Sequence, residues 1–463
     1  MPRRVYIETV GCQMNVLDSE LLAAALQEAG FELAAARRAA DVVLFNTCSV
    51  RQHAEDKVYS ALGRLKHLKD QRPGTIIGVL GCMAQKDCET IFRRAPHVDL
   101  VVGPGQISRV PELIERAAGG GGPHVALSAD RNSGSRAEVA ASFARADFAA
   151  PPSRPAGPQA MVRAMFGCDN FCTYCIVPSV RGPEQCRPAR EIVAEVRRLA
   201  EGGCLEVTLL GQAVNQYYDT SEGPTVRLSD LLGRLNEISG LRRIRFVTSH
   251  PRSMSDDLLA AVRDLDKVCP YLHVPAQSGS DTVLARMKRG YTAGFYRDML
   301  RRIAQTVPGA AVTSDFIVGF CGETEADFDQ TVALVREGRF KNSFIFKYSP
   351  RPGTRAAEHY ADDVPEEVKR RRNNELLAVQ NAVSLEANRR FVGRRVEVLV
   401  EGPSKTARKR GHTGAVRQLS GRTACDRIVV FDGPAALAGQ LADVMIERAE
   451  PVTLFGRIGE RGA

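Results

Sequence analysis

The sequence predicts a mixed α/β protein. We expect an N-terminal α/β domain with a parallel sheet over residues 1–118, a linker over 119–160, a central open (β/α)6 partial barrel over 161–390 and a small C-terminal β-barrel over 391–455. Three observations lead there. At 463 residues the chain is too long for one ordinary core and has the length of about three domains. Its composition breaks twice, in the run from Gly119 to Ala160 with "GGGG", "SADRNSGSR" and "PPSRPAGP", and again after "SPRPGTRAAEHYADDVP". Runs rich in Gly, Pro and Ser build no core and read as connections. Elsewhere apolar strand patterns alternate with amphipathic helical ones, as parallel sheets require.

In the N-terminal segment a strand pattern recurs three times, each ending at a cysteine: "VYIETVGC" at Cys12, "DVVLFNTC" at Cys48 and "TIIGVLGC" at Cys82. Helical patterns such as "DSELLAAALQEAG" separate them. In open sheets of this kind ligands gather beyond the carboxyl ends of the strands, so the three cysteines are expected to meet. A single cysteine there is commonly a buried small residue; three in register are not. Cys88, six residues beyond Cys82, breaks the pattern and is read as structural.

The central segment opens with "MFGCDNFCTYCIVP", which holds Cys168, Cys172 and Cys175 after the strand pattern "AMVRAMFG". A structural zinc site takes four protein ligands, with Cys186 the available fourth. A four-iron cluster takes one ligand per iron, so three cysteines leave one iron open for something other than protein. Five further strand patterns, "LEVTLLG", "IRFVTS", "VCPYLHVP", "AVTSDFIVG" and "SFIFKYS", complete the partial barrel, whose active site belongs at the carboxyl ends of its strands. After a charged helical stretch from Glu366 to Arg390 come the short strand patterns "RRVEVLVEG" and "RIVVFDG".

The composition, 44% hydrophobic and 25% charged with no long apolar run, is that of a globular protein outside the membrane. The opening "MPRRVYIETVGC" enters a strand pattern without a signal-peptide core, so a cytoplasmic location is expected. In that reducing compartment twelve cysteines are better read as ligands than as a disulfide framework. The net charge of +9 points to a polyanionic partner.

The motif C-x3-C-x2-C, with Tyr174 before its last cysteine and a barrel strand before its first, resembles that of the radical S-adenosylmethionine superfamily. The preceding triplet, "GCQMN" from Gly11, "NTCSVRQHAEDKV" from Asn46, "GCMAQ" from Gly81, "TSHP" from Thr248, "HVPAQSGSD" from His273 and "YSPRPGT" from Tyr348 resemble the methylthiotransferases of MiaB type along nearly the whole chain. The resemblance implies two [4Fe-4S] clusters, on Cys12, Cys48 and Cys82 and on Cys168, Cys172 and Cys175, with S-adenosyl-L-methionine on the open iron of the second. It implies a radical that attacks carbon 2 of N(6)-dimethylallyladenosine next to the anticodon of a tRNA, and a first cluster that supplies the sulfur. It also implies an external one-electron donor of flavodoxin or ferredoxin kind and a sulfur source; the protein is expected to be a monomer. Three positions depart from the family pattern: Ala213 where Asn is usual, Cys321 where Pro is usual and Cys186 where Ser is usual.

Gln212, Gln277 and Ser278 follow strand patterns, and the turn holding Gly319 and Gly322 lets backbone approach an adenine, so these five are the expected cofactor contacts. Ordinary loop chemistry is the alternative for each, with Thr324 and Asp327 a helix start. His250 is read as a satisfied polar residue. Between Arg390 and Val430 ten Lys or Arg stand against three Asp or Glu, and the loop "KTARKR" supplies Lys405, Arg408, Lys409 and Arg410 as expected RNA contacts. The segment resembles a TRAM domain, an RNA-binding β-barrel. Rival readings are a methylthiotransferase acting on a ribosomal-protein aspartate or on threonylcarbamoyladenosine, and a zinc-stapled RNA-binding protein without catalysis.

Overall fold

The computed structural model describes residues 2–49, 52–130, 134–142, 154, 157–221, 223–410 and 416–459. Six parallel strands form the N-terminal sheet in the order Glu32–Leu33, Arg4–Val10, Val42–Thr47, Ile76–Gly81, Leu100–Val102, His124–Ala126. Leu44 and Leu80 face one apolar layer, Phe45 and Val79 the other. A strand covered on both faces reads as an unbroken apolar run, which is why "VVLF" and "IIGVL" stand out in the sequence. The sixth strand, His124–Ala126, comes from within the stretch read as linker: an edge strand needs only a few residues.

The central strands Gln159–Arg163, Glu206–Leu210, Arg243–Val247, Tyr271–His273, Ala311–Val318 and Asn342–Lys347 follow one another in parallel. They form two three-stranded halves, meeting where Ile244 bridges Val268. No pairing among the described residues joins the first strand to the last, so the barrel stays open. Helices connect its strands, and some start at a side-chain cap: Ser280, Thr292 and Thr324 each accept from an amide of the first turn. Thr324 accepts from the Asp327 amide at 3.2 Å while the Asp327 carboxylate accepts from the Thr324 amide at 2.9 Å, closing a capping box on Glu325–Gly338.

The barrel is flanked at both ends. At the carboxyl ends of its strands the helix Gln13–Glu28 packs Leu17 and Leu21 on Leu210 and Val247. At the amino ends sits a closed five-stranded barrel, in the order Arg395–Pro403, Val416–Thr423, Ile428–Pro434, Thr453–Ile458, Leu441–Ala449. Its turn after Thr423 enters the central barrel. Arg245 donates to the carbonyls of Thr423 and Ala424 at 2.7 and 2.9 Å, Arg243 to that of Arg422 at 2.9 Å, and Lys341 to the Asp426 carboxylate at 2.5 Å.

Candidate active site

The three N-terminal cysteines follow adjacent strands whose ends are in register, Val10 beside Thr47 and Thr47 beside Gly81. Helices start directly at two of them, Gln13–Glu28 behind Cys12 and Cys82–Arg94 at Cys82. Helix N-termini favour anions, so each of these two helices turns its positive end toward a triplet sulfur. Asn15 ties the site together. It is fully buried; its side-chain oxygen accepts from the Cys12 amide at 3.3 Å and its amide donates to Asn46 at 3.1 Å. Asn46 in turn donates to the Asn15 carbonyl at 2.9 Å and to Ser19 at 3.0 Å. Two glycines make room: a Cβ on Gly11 would stand 2.4 Å from Asn15 Oδ1, and one on Gly81, where φ is +89, 2.5 Å from Asn46 Oδ1. The Cys12 thiol, exposed at the surface, is pulled down to about 6 by a hydrogen bond with Cys48, helped by the charge of Arg181. Burial pushes the Cys82 thiol up.

The second triplet lies in a loop bound on two sides. Thr173 donates from its amide to the Met287 carbonyl at 3.1 Å and from its hydroxyl to that of Arg286 at 2.9 Å. Phe171, between Cys168 and Cys172, takes the left-handed backbone at φ +50 that so tight a loop demands. Arg289, which lies in no local motif, is buried behind the loop. It donates to Cys172 Sγ at 3.2 Å, to the Pro275 carbonyl at 3.0 Å and to the Tyr291 hydroxyl at 2.9 Å. Burial pushes the Cys175 thiol up to about 12, with the neighbouring Cys172 adding, and lifts Cys168 too. No group of three or more His, Cys, Asp and Glu among the described residues closes around a single metal ion. A four-iron cluster takes a wider arrangement, one thiolate per iron.

The triplets are joined by the segment after Cys175. Ile176 and Val180 pack on Cys82, and the helix Val177–Arg181 ends in a guanidinium that bonds Asp18 at 2.7 Å. Arg163, on the first barrel strand, bonds the other oxygen of Asp18. Cys12 itself opens on a cavity of about 870 Å³ that runs into the barrel past Thr248, His273, Asp315 and Phe344 and reaches Asp426.

The remaining expected residues divide. Gln212 is half-buried beyond the strand Glu206–Leu210, and its Oε1 has no hydrogen-bond partner, which suits a ligand donor. Gln277 takes φ +71 and continues the pairing along Ala311–Val318, its amide donating to the Asp315 carbonyl at 2.8 Å. Ser278 does not face an open site: it is buried, with its hydroxyl 3.2 Å from Thr331 Oγ1. The turn at Gly319 and Gly322 is likewise filled. Lys369 packs over the first glycine and Arg286 over the second, and their amides donate to Glu323 at 2.5 Å and Asp363 at 2.6 Å.

Cys186 pairs with Met165 in a two-stranded ribbon and packs on the barrel core, so it does not complete the second triplet. Cys321 is buried with Phe320 and Tyr348, Cys88 packs under the N-terminal sheet, and Ala213 is buried. His250 is buried too, but its Nδ1 finds no partner. Burial, then the charges of Arg289 and Arg252, push its pKa down to about 3.

The basic run is a helix, Lys405–Arg410, and not a loop. Ser404 caps it, its hydroxyl accepting from the Ala407 amide at 3.1 Å. Ala407 is buried, and Lys405, Arg408 and Lys409 are exposed; the side chain of Arg410 lies outside the described residues. No helix of the described residues is long and apolar enough to cross a membrane.

Three family models match the chain: Uncharacterized protein family UPF0004 over residues 4–103, the Radical SAM superfamily over 162–335 and the TRAM domain over 389–458. Among solved structures it is similar to the radical S-adenosylmethionine methyltransferase TsrM from Kitasatospora setae, with a TM-score of 0.52 and 14% identity over 77% of each chain, a likeness of fold alone. Curated relatives called tRNA-2-methylthio-N(6)-dimethylallyladenosine synthase are much closer. That of Rhodopirellula baltica is 55% identical over 99% of this chain and 96% of its own. Those of Bordetella petrii and Moorella thermoacetica are 45% and 43% identical, over 99% and 98% of this chain and 92% and 97% of theirs. Two cysteine triplets built into one interface, and identity sustained along the full length, place this chain in the tRNA-2-methylthio-N(6)-dimethylallyladenosine synthase family.

Proposed function

We propose that this protein is a tRNA methylthiotransferase that replaces the hydrogen on carbon 2 of N(6)-dimethylallyladenosine, next to the anticodon, with a methylthio group. The observation that carries the reading is the pair of cysteine triplets joined by Ile176 to Arg181, with Cys12 open to the cavity that enters the barrel. In this reading Cys12, Cys48 and Cys82 hold one four-iron cluster and Cys168, Cys172 and Cys175 the other. When bound, the second cluster supplies with S-adenosylmethionine the carbon radical that an inert C–H bond requires, and the first supplies the sulfur.

The chain's own residues bind, orient and keep water out. Arg289 holds Cys172 against the Pro275 carbonyl, so the loop cannot shift as its charge changes. Burial of Cys168 and Cys172 keeps water from their sulfurs. Gln212, with its unpartnered oxygen, and Gln277 are assigned to S-adenosylmethionine. Lys405, Arg408, Lys409 and Arg410 are assigned to tRNA phosphates. The enzyme works as a cytoplasmic monomer, fed by an external one-electron donor and a sulfur source.

The test begins with anaerobic reconstitution and iron analysis. About eight irons per chain should fall to about four when Cys168, Cys172 and Cys175 are all replaced by Ala. The loaded enzyme, given S-adenosylmethionine, a reductant and tRNA carrying N(6)-dimethylallyladenosine, should then yield the 2-methylthio nucleoside by mass spectrometry. Zinc in place of iron, or modification only of threonylcarbamoyladenosine or of a ribosomal-protein aspartate, would overturn the assignment.

A further inference from the structure

Two guanidiniums and one carboxylate are buried between the cysteine triplets. The side chains of Asp18, Arg163 and Arg181 are exposed by 0%, 3% and 3%. Asp18 is shared between two cations, so it answers the charge of Arg181 only in part, and a buried guanidinium is costly unless something nearby answers the rest. Arg181 shows where the answer lies. One of its two terminal nitrogens, Nη2, bonds Asp18; the other, Nη1, is buried without a hydrogen-bond partner. The groups its charge acts on besides Asp18 are the thiols of Cys82 and Cys12. Phe166 lies within 5.5 Å of both guanidiniums, so they stand on an apolar floor, away from water.

We propose that Arg181 is a positioning residue for the N-terminal cluster: its free Nη1 donates to sulfur at Cys82, while Asp18, held by Arg163, fixes the guanidinium from the opposite side. The inference rests on the reading that the N-terminal triplet holds a four-iron cluster. Three thiolates outweigh the positive charge of an oxidised cube, so the loaded site is an anion placed against a buried guanidinium whose Nη1 has no hydrogen-bond partner. Hydrogen bonds and positive charge at cluster sulfur favour the reduced form and raise the potential. Because Arg181 is only six residues beyond Cys175 and Asp18 only six beyond Cys12, one ion pair ties together the chain segments that carry the two triplets.

The experiment uses the full chain with Cys168, Cys172 and Cys175 replaced by Ala, so that only the N-terminal cluster is present, in a parent and in Arg181→Met and Arg181→Lys variants. Each is reconstituted without oxygen and titrated with dithionite while the reduced cluster is followed by electron paramagnetic resonance; melting is recorded before and after loading. In Arg181→Met the ratio of reduced to oxidised cluster at a fixed potential should fall at least tenfold, a shift of about 59 mV for one electron. Arg181→Lys, which keeps the charge and loses the two-point grip, should lie between. The rise in Tm on loading should be smaller in Arg181→Met than in the parent.

A parent without iron would overturn the underlying cluster assignment and this proposal with it. A parent with iron, and an Arg181→Met variant with the same potential and the same rise in Tm, would overturn the proposal alone. An Arg181→Met chain that folds normally by circular dichroism but takes up no iron supports it. If Arg181→Met does not fold, Arg181→Lys decides: an unchanged potential there overturns it.

Discussion

Asn15 uses both ends of its amide inside the N-terminal site, accepting from Cys12 and donating to the buried Asn46. Removing it leaves the buried Asn46 oxygen without that partner, at about 1–3 kcal/mol for a buried group left unsatisfied, and frees the Cys12 amide. Asn15→Ala should therefore lower Tm by several degrees. It should also lose iron from the first triplet while keeping that on the second, as iron and sulfide analysis would record. His250 makes a different forecast. Its folded pKa near 3 lies below the ordinary 6.5, so below pH 6.5 the unfolded chain binds a proton that the folded one refuses. Stability from this group is complete above pH 6.5 and drains away as pH falls toward 3, at up to about 1.4 kcal/mol per pH unit. Denaturant melts of the apoprotein at pH 7.5 and 5.5 should show wild type losing about 1 kcal/mol more than His250→Asn.

At the scale of elements, the short helix Lys405–Arg410 presents three exposed cations on a face anchored by Ala407. Replacing Lys405, Arg408 and Lys409 together with Gln should weaken tRNA binding and flatten the plot of log affinity against log salt by about 2–3. An unchanged slope would remove the helix from the RNA interface. The same scale shows what was legible in the sequence. Strands buried on both faces announce themselves as apolar runs, and Thr324 with Asp327 marks a helix start, because those causes act within a few residues. The placement of Cys12, Cys48 and Cys82 at adjacent strand ends, and of Cys168, Cys172 and Cys175 in one loop, was legible through register and spacing. Arg181 and Arg289 were not: each acts on cysteines far away in the chain, Arg289 on Cys172, and neither lies in a local pattern. The surroundings of Ser278, Gly319 and Gly322 were hidden for the same reason, since the groups that fill the space around them, Thr331, Lys369 and Arg286, come from other elements.

At the scale of the whole molecule, the C-terminal barrel is fixed to the central one by charges. Lys341 and Asp426 are nearly buried, and Arg243 and Arg245 grip backbone carbonyls of the inserted turn. Breaking such a pair costs about 3 kcal/mol, so wild type should melt in one calorimetric transition and Asp426→Ala in two, with the junction after Arg389 made sensitive to protease. A single transition at the wild-type temperature would mean that the turn does not hold the domains. The same turn has a longer reach. Asp426, Arg422 and Arg427 belong to the barrel to which tRNA binding is assigned and at the same time form a wall of the chamber onto which Cys12 opens. The two parts are therefore not beads on a string: grafting the C-terminal barrel of another RNA enzyme onto this chain would alter the room in which a base is received as well as the strength of the grip, and recognition and chemistry in this lineage must change together.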